Sequence, residues 1–187
     1  MEKVSVKNMV CSRCVMVVTQ YVAPLNVGLQ QVTLGELVFK NKITAAQKDL
    51  VRNTLIPFGF EVIDDDKMRM VERIKHIIIN LVHYQEEGMN NNLSEILSAD
   101  LHCVYNYLSG IFSEVTGKTI EKYYIAQKIE RAKELLDYDE LTLSEIAHRL
   151  NYSSVAYLSN QFKKVAGLAP SVYKQQKSER RTSLDKL

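Results

Sequence analysis

Two rhythms of apolar residues divide the chain. Up to about residue 64, short apolar runs alternate with polar positions. Val4-Ser5-Val6 has the period of a strand. Val15 to Val22 reads as a helix that ends near Pro24. Val27 to Leu34 and Leu37 to Lys40 read as strands, with Gly35-Glu36 at the turn. Thr44 can cap a helix from Ala45 to about Leu55, and Phe60-Glu61-Val62-Ile63 is a last strand. The order β-α-β-β-α-β is a ferredoxin-like pattern. After it the period becomes helical. Asp64-Asp65-Asp66 suit a helix start, where carboxylates are favoured. Met70, Val71, Ile74, Ile78, Leu81 and Val82 make one stripe from about 68 to 84, and Glu86 to Asn92 reads as a loop.

The rest of the chain contains one unit twice. Residues 93–123 and 143–173 share 11 identities in 31 ungapped positions, where ordinary residue usage gives roughly two. Leu93-Ser94-Glu95-Ile96 returns as Leu143-Ser144-Glu145-Ile146, and Tyr107-Leu108-Ser109 as Tyr157-Leu158-Ser159. Phe112, Val115, Gly117 and Tyr123 return as Phe162, Val165, Gly167 and Tyr173. Such a repeat marks a duplicated supersecondary unit. In the second copy Leu143, Ile146, Ala147 and Leu150 make a short amphipathic helix, with Thr142 or Ser144 as its cap. A break at Asn151-Tyr152-Ser153-Ser154 follows, then a helix with Val155, Leu158, Phe162 and Val165 inward. Gly167 suits a left-handed cap and Pro170 opens a further helix. Helix, tight turn, helix is the helix-turn-helix unit, whose second helix enters a DNA major groove.

The inward stripe fixes what faces outward. In the second copy Ala156, Ser159, Asn160 and Lys163 point out, with Tyr157 and Lys164 at the flanks. Small and amide side chains beside lysines suit base edges and phosphates. In the first copy Val104, Leu108, Ile111, Phe112 and Val115 face in, and Asn106, Ser109, Gly110 and Ser113 face out. That outer face carries no positive charge, so the second copy is expected to be the stronger reader. Between the copies, 119–137 reads as one helix with Ile125, Ile129, Ala132 and Leu136 on its stripe. About 18 residues span about 27 Å, which suits two reading helices about one DNA turn apart.

Residues 70–177 resemble the AraC family of bacterial transcription regulators. The resemblance is carried by Leu143-Ser144-Glu145-Ile146-Ala147, by the run Tyr157 to Lys164, and by the run Gly167 to Tyr173. It implies two helix-turn-helix units joined by a long helix, double-stranded promoter DNA and RNA polymerase as partners, and a homodimer as one assembly. The base-reading positions it implies in the second unit are Val155, Ala156, Ser159 and Asn160; with Ser154, Tyr157, Lys163 and Lys164 from the same turn and helix face, these are the expected DNA-binding residues there. In the first they are Asn106, Ser109 and Gly110. The family often carries a long polar or basic residue at the place of Gly110, and Lys at the place of Ser113.

The N-terminal part holds other chemistry. Cys11-Ser12-Arg13-Cys14 sits at the first strand-to-helix loop, and two thiolates three residues apart can hold one soft metal ion. Asn8-Met9-Val10-Cys11-Ser12-Arg13-Cys14 resembles the heavy-metal-associated domain, which carries Met-x-Cys-x-x-Cys here and binds copper(I) or similar ions through both cysteines. Asn8 stands where that family usually has glycine. Alternatives are a redox pair, a structural zinc site needing two further ligands, and a module kept for dimerisation or partner contact. Cys103 is placed on the first reading helix, and His76 and His83 read as ordinary helix residues.

Charge sharpens this division. Among 187 residues the net charge is only +2. Yet residues 1–59 carry net +4, residues 60–117 net −6 and residues 118–187 net +4. A basic C-terminal region suits an anionic polymer. The first residues have no apolar run of signal-peptide length and no segment reads as a bilayer span, so a cytoplasmic location without membrane contact is expected. No Ser/His/Asp triad, glycine-rich phosphate loop or paired carboxylate site stands out, so no enzyme is expected. The expected fold class is an α+β ferredoxin-like βαββαβ domain at 1–66, then an all-α double helix-turn-helix domain at 67–177, then a basic tail at 178–187. The expected function is sequence-specific transcription regulation, responsive to a thiophilic metal ion or a redox signal at Cys11 and Cys14. The alternative is a metal chaperone or storage protein whose helical part binds a protein partner.

Overall fold

The computed structural model describes residues 1–85, 92–175 and 184. Most of the loop expected from Glu86, and nearly all of the expected basic tail, lie outside the described residues. The chain divides into two compact units, Met1–His76 and Ile77–Leu187.

The first unit contains β1 (Glu2–Lys7), α1 (Ser12–Val22), β2 (Leu29–Thr33), β3 (Glu36–Phe39), α2 (Ala45–Leu55) and β4 (Glu61–Ile63), in that order. The four strands form one antiparallel sheet in the order β2-β3-β1-β4. On central β1, Val4 pairs with Leu37 and Val6 with Val62. Directly paired residues share a face, and these four join one core with Phe39, Met9 and Phe60. The helices contribute to it at i, i+4 spacing: Val18 and Val22 from α1, Val51 and Leu55 from α2. Burying each such side chain is worth about 1.5–3 kcal/mol. Thr44 starts α2 with a reciprocal capping box, its hydroxyl accepting from the Gln47 N–H and the Gln47 amide accepting from the Thr44 N–H.

Two local expectations need correction. Helix α1 begins at Ser12, not Val15, so Cys11 is its N-cap and Cys14 lies in its first turn. It ends at Val22, near Pro24 as expected, and Pro24 sits in the 3-10 turn Ala23–Leu25 that follows, where its missing N–H costs nothing. Glu36 is not in the turn. It belongs to β3 opposite Ser5, and Gly35 supplies the left-handed residue with φ 77°.

Helix α3 (Asp66–Ile79) starts where the Asp65 carboxylate accepts the Met68 N–H at 2.8 Å. Asp64 instead pairs with Arg52 at 2.7 Å and with Lys48. The division between units falls inside α3. The single helix expected to 84 changes at Asn80 into one π-helical turn, Asn80–Tyr84.

The second unit is helical: α4 (Leu93–Leu101), α5 (Tyr105–Thr116), α6 (Ile120–Tyr138), α7 (Leu143–Arg149), α8 (Val155–Ala166) and α9 (Pro170–Gln175). Helices α5 and α8 are 12 residues each and begin fifty positions apart. The repeated Phe and Tyr pack on one another in both copies: Phe112 on Tyr123 at 5.6 Å between ring centroids, Phe162 on Tyr173 at 5.5 Å. Gly117 and Gly167 each end a helix at positive φ, donating to Ser113 and Lys163 carbonyls. Among the repeated identities, the Phe and Tyr are thus packing pairs and the Gly are helix stops.

The buried stripe is shorter than the expected one in both copies. Leu108, Ile111 and Phe112 are buried on α5, and Leu158 and Phe162 on α8. Val104 is the N-cap of α5 and is 72% exposed, while Val115 and Val165 lie in the last turns and are exposed. Periodicity assigns a side of a helix, but burial also needs an element opposite. No described helix is long and apolar enough to cross a membrane.

Candidate nucleic-acid interface and thiol pair

The second helix-turn-helix is built from caps. Thr142, not Ser144, starts α7: its hydroxyl accepts the Glu145 N–H at 3.3 Å and its own N–H donates to the Glu145 carboxylate at 2.7 Å. The Thr142 hydroxyl also donates to the Glu145 carboxylate at 2.7 Å, and this bond first, with that from the Thr142 N–H, holds the Glu145 carboxyl below the usual carboxylate range. Ile146 and Ala147 turn inward. Asn151 takes φ 51° and the Tyr152 N–H returns to the Ala147 carbonyl at 2.9 Å, which closes the turn. Ser154 then caps α8 by accepting the Tyr157 N–H at 3.1 Å.

This construction fixes one face of α8. Ala156, Asn160, Lys163 and Lys164 are exposed along it, with Ser159 half-buried. Ser154 and Tyr157 are exposed at its start. The Tyr157 hydroxyl accepts from the Gln161 amide at 3.3 Å. Val155 is half-buried against the core beneath, so it divides between packing and the outer face. In the first copy Asn106 and Gly110 are exposed, and Ser109 and Ser113 half-buried, on α5. A Cβ at Gly110 would meet nothing within 4 Å. Cys103 is not on α5; it lies in the turn before it, because Val104 is the cap.

The connecting helix α6 buries more than its expected apolar stripe. Its stripe of Ile129, Ala132 and Leu136 is buried as expected, with Ile125 half-buried. Gln127, Lys128, Glu130 and Lys133 are buried as well. Gln127 donates to the Tyr123 hydroxyl at 2.9 Å and meets the His83 ring at 3.0 Å, while Lys133 pairs with Glu130 at 2.5 Å. The signal was available: α6 serves both copies and so is covered on more than one side, which an apolar stripe alone does not count.

In the first unit the two sulfurs of the Cys11–Cys14 pair lie 3.4 Å apart. Burial opposes ionisation of Cys11. Hydrogen bonds from the Cys14 backbone, the Cys14 side chain and the Arg13 backbone, with the Arg13 charge, outweigh it and lower its pKa. Burial, with the Cys11 sulfur, raises the pKa of Cys14. Of the two, Cys11 is thus the more readily ionised, and the Cys14 thiol is placed to donate to it when it is. Asn8 adopts φ 71°, the conformation for which glycine would serve, and its amide donates to the Gly59 carbonyl at 2.8 Å. Among the described residues no group of three or more His, Cys, Asp or Glu is gathered as for a metal ion. His76 is buried, and Gly35 passes so close that a Cβ there would overlap its ring.

Residues 97–176 match the family model described as a helix-turn-helix domain. The C-terminal domain of AraT, a response regulator from Geobacillus stearothermophilus, superposes with a TM-score of 0.50 at 27% identity, covering 63% of this chain and 95% of that one. This part of the chain is a helix-turn-helix domain similar to those of AraC-type regulators. Curated relatives of this helix-turn-helix domain include the MmsAB operon regulatory protein of Pseudomonas aeruginosa, 34% identical over 49% of this chain and 30% of its own length. The HTH-type transcriptional regulator YtdP of Bacillus subtilis is 27% identical over 77% of this chain and 18% of its own length. The chain therefore spans less than a third of either relative.

Proposed function

We propose that the chain is a sequence-specific, DNA-binding transcription regulator that reads double-stranded promoter DNA chiefly with α8. The observation that carries this is the outer face of α8, where Ala156 and Asn160 stand exposed beside Lys163 and Lys164 on a helix held by caps at both ends. An amide can pair with a base edge, and the lysines can neutralise phosphates. The second reader, α5, offers Asn106, Ser109 and Gly110. Helix α6, 19 residues or about 28 Å long, spaces the two readers on the scale of one DNA turn. The test is Asn160→Ala against a selected site: loss of a base contact costs about 1–3 kcal/mol for that site and leaves non-specific binding unchanged. Equal loss on both DNAs refutes the role of Asn160 as a base reader.

We read the first unit as a ferredoxin-like, heavy-metal-associated module that takes a soft monovalent ion such as copper(I). The β-α-β-β-α-β order and the close sulfur pair support this reading. Cys11 and Cys14 would hold the ion, which supplies a charge that keeps both sulfurs as thiolates. Two sulfurs are half of a structural zinc set, so the donor set favours a soft ion of low coordination number. Ion and DNA would then influence one another's affinity reciprocally. Copper(I) titration should bind the wild type and fail with the Cys11→Ser/Cys14→Ser variant. Equal binding by both refutes the site.

A further inference from the structure

Lys128 is only 7% exposed. Its ammonium lies 3.8 Å from the centroid of the Tyr152 ring and 5.2 Å from that of Tyr124, and it donates to the Asn151 carbonyl at 3.4 Å. It makes no ion pair among the described residues. Asn151 and Tyr152 are the turn between α7 and α8. The Tyr152 ring in turn meets Tyr157, on the first turn of α8, edge-on at 5.7 Å. The Tyr152 hydroxyl has no hydrogen-bond partner among the described residues, so the ring is held by its faces and edges. A line of contact thus runs from α6 through the turn to the start of the reading helix. The first copy lacks it: fifty residues before Tyr152 stands His102, the left-handed cap of α4.

We propose that Lys128 is a positioning residue for DNA reading, which seats a buried cation on Tyr152 and so fixes the turn that aims α8, without itself touching DNA. This rests on the proposed DNA-binding function. A buried lysine with no carboxylate partner is costly to keep, and a desolvated cation on an aromatic face is one of the few arrangements that offset that cost. Burial draws the Lys128 pKa down to about 8, while the ring faces favour the cation. The groups around it are phenols: Tyr124 on its own helix, Tyr152 from the turn and Tyr157 behind it. Burial raises both Tyr124 and Tyr152 above the usual phenol range.

The experiment measures binding of the full chain to a selected DNA site against salt and pH. Wild-type binding establishes the parent reading; wild type that selects no DNA refutes it separately. Lys128→Met should bind about tenfold more weakly, part of the worth of a desolvated cation–π contact, with an unchanged salt slope. Lys128→Arg should retain most of the affinity. Wild-type affinity should fall as pH rises through about 8, and Lys128→Met should lack that fall. Tyr152→Leu should weaken binding similarly, and the double variant should be no worse than either single one. Unchanged affinity in Lys128→Met overturns the proposal. So does a salt slope shallower by about 0.9, the mark of a lost phosphate contact, or an Arg variant as weak as Met.

Discussion

Gly110 offers a substitution whose two consequences can be measured apart. It lies inside α5, with open space where a Cβ would stand, and it aligns with Asn160 in the second copy. Glycine inside a helix costs about 1 kcal/mol relative to Ala, and lysine lies close to Ala. Gly110→Lys should therefore stabilise the helical unit by about 0.7 kcal/mol. For a unit of this size that raises the melting temperature by about 3–5 °C. The substitution also places a cation on a reading face that has none. If that face meets DNA, one added phosphate contact steepens the dependence of log affinity on log salt by about 0.9. Between 50 and 200 mM salt the variant should then lose about 3.5-fold more affinity than the wild type. Differential scanning calorimetry reads the first effect and fluorescence anisotropy over a salt series reads the second. A higher melting temperature with an unchanged salt slope refutes the placement of α5 on DNA. An unchanged or lower melting temperature refutes the open helical environment of Gly110.

Other outcomes follow from the same geometry. Phe162→Ala removes a fully buried ring that packs on Tyr173 and should cost about 3–5 kcal/mol in denaturant unfolding; a loss under about 1 kcal/mol contradicts the packing. Lys163→Ala with Lys164→Ala should flatten the salt slope by about 1.8 if both reach phosphates; an unchanged slope removes them from the interface. Cys11 should be alkylated before Cys14, its rate rising with pH through a midpoint below the usual thiol value. Cys14→Ala removes a hydrogen bond to Cys11 and should move that midpoint upward; equal rates at both cysteines contradict the shared proton.

Much of the C-terminal part was legible because duplication and capping are written in adjacent residues. Thr142, Ser154, Gly167 and Pro170 act where the sequence places them. The N-terminal element order was legible for a similar reason: strand and helix periods differ, and Thr44 marks a start. What escaped depends on neighbours distant in sequence. Val115 and Val165 have the right spacing for a core, but their exposure is decided by what lies opposite a helix end. Lys128 looks like a solvent residue until Tyr152, 24 positions on, is folded over it. The lowered pKa of Cys11 depends on hydrogen bonds from Cys14 and Arg13 in the first turn of a helix that starts at Ser12, three residues before the expected start.

The central claim is that the helical unit reads DNA sequence with α8. It is tested most directly by selecting sequences from random double-stranded DNA with the wild-type chain and with Asn160→Ala, each with and without copper(I) and reductant. The account predicts one enriched motif for the wild type, relaxed at particular base positions in the variant. No enrichment by the wild type, or an identical motif from the variant, would contradict it.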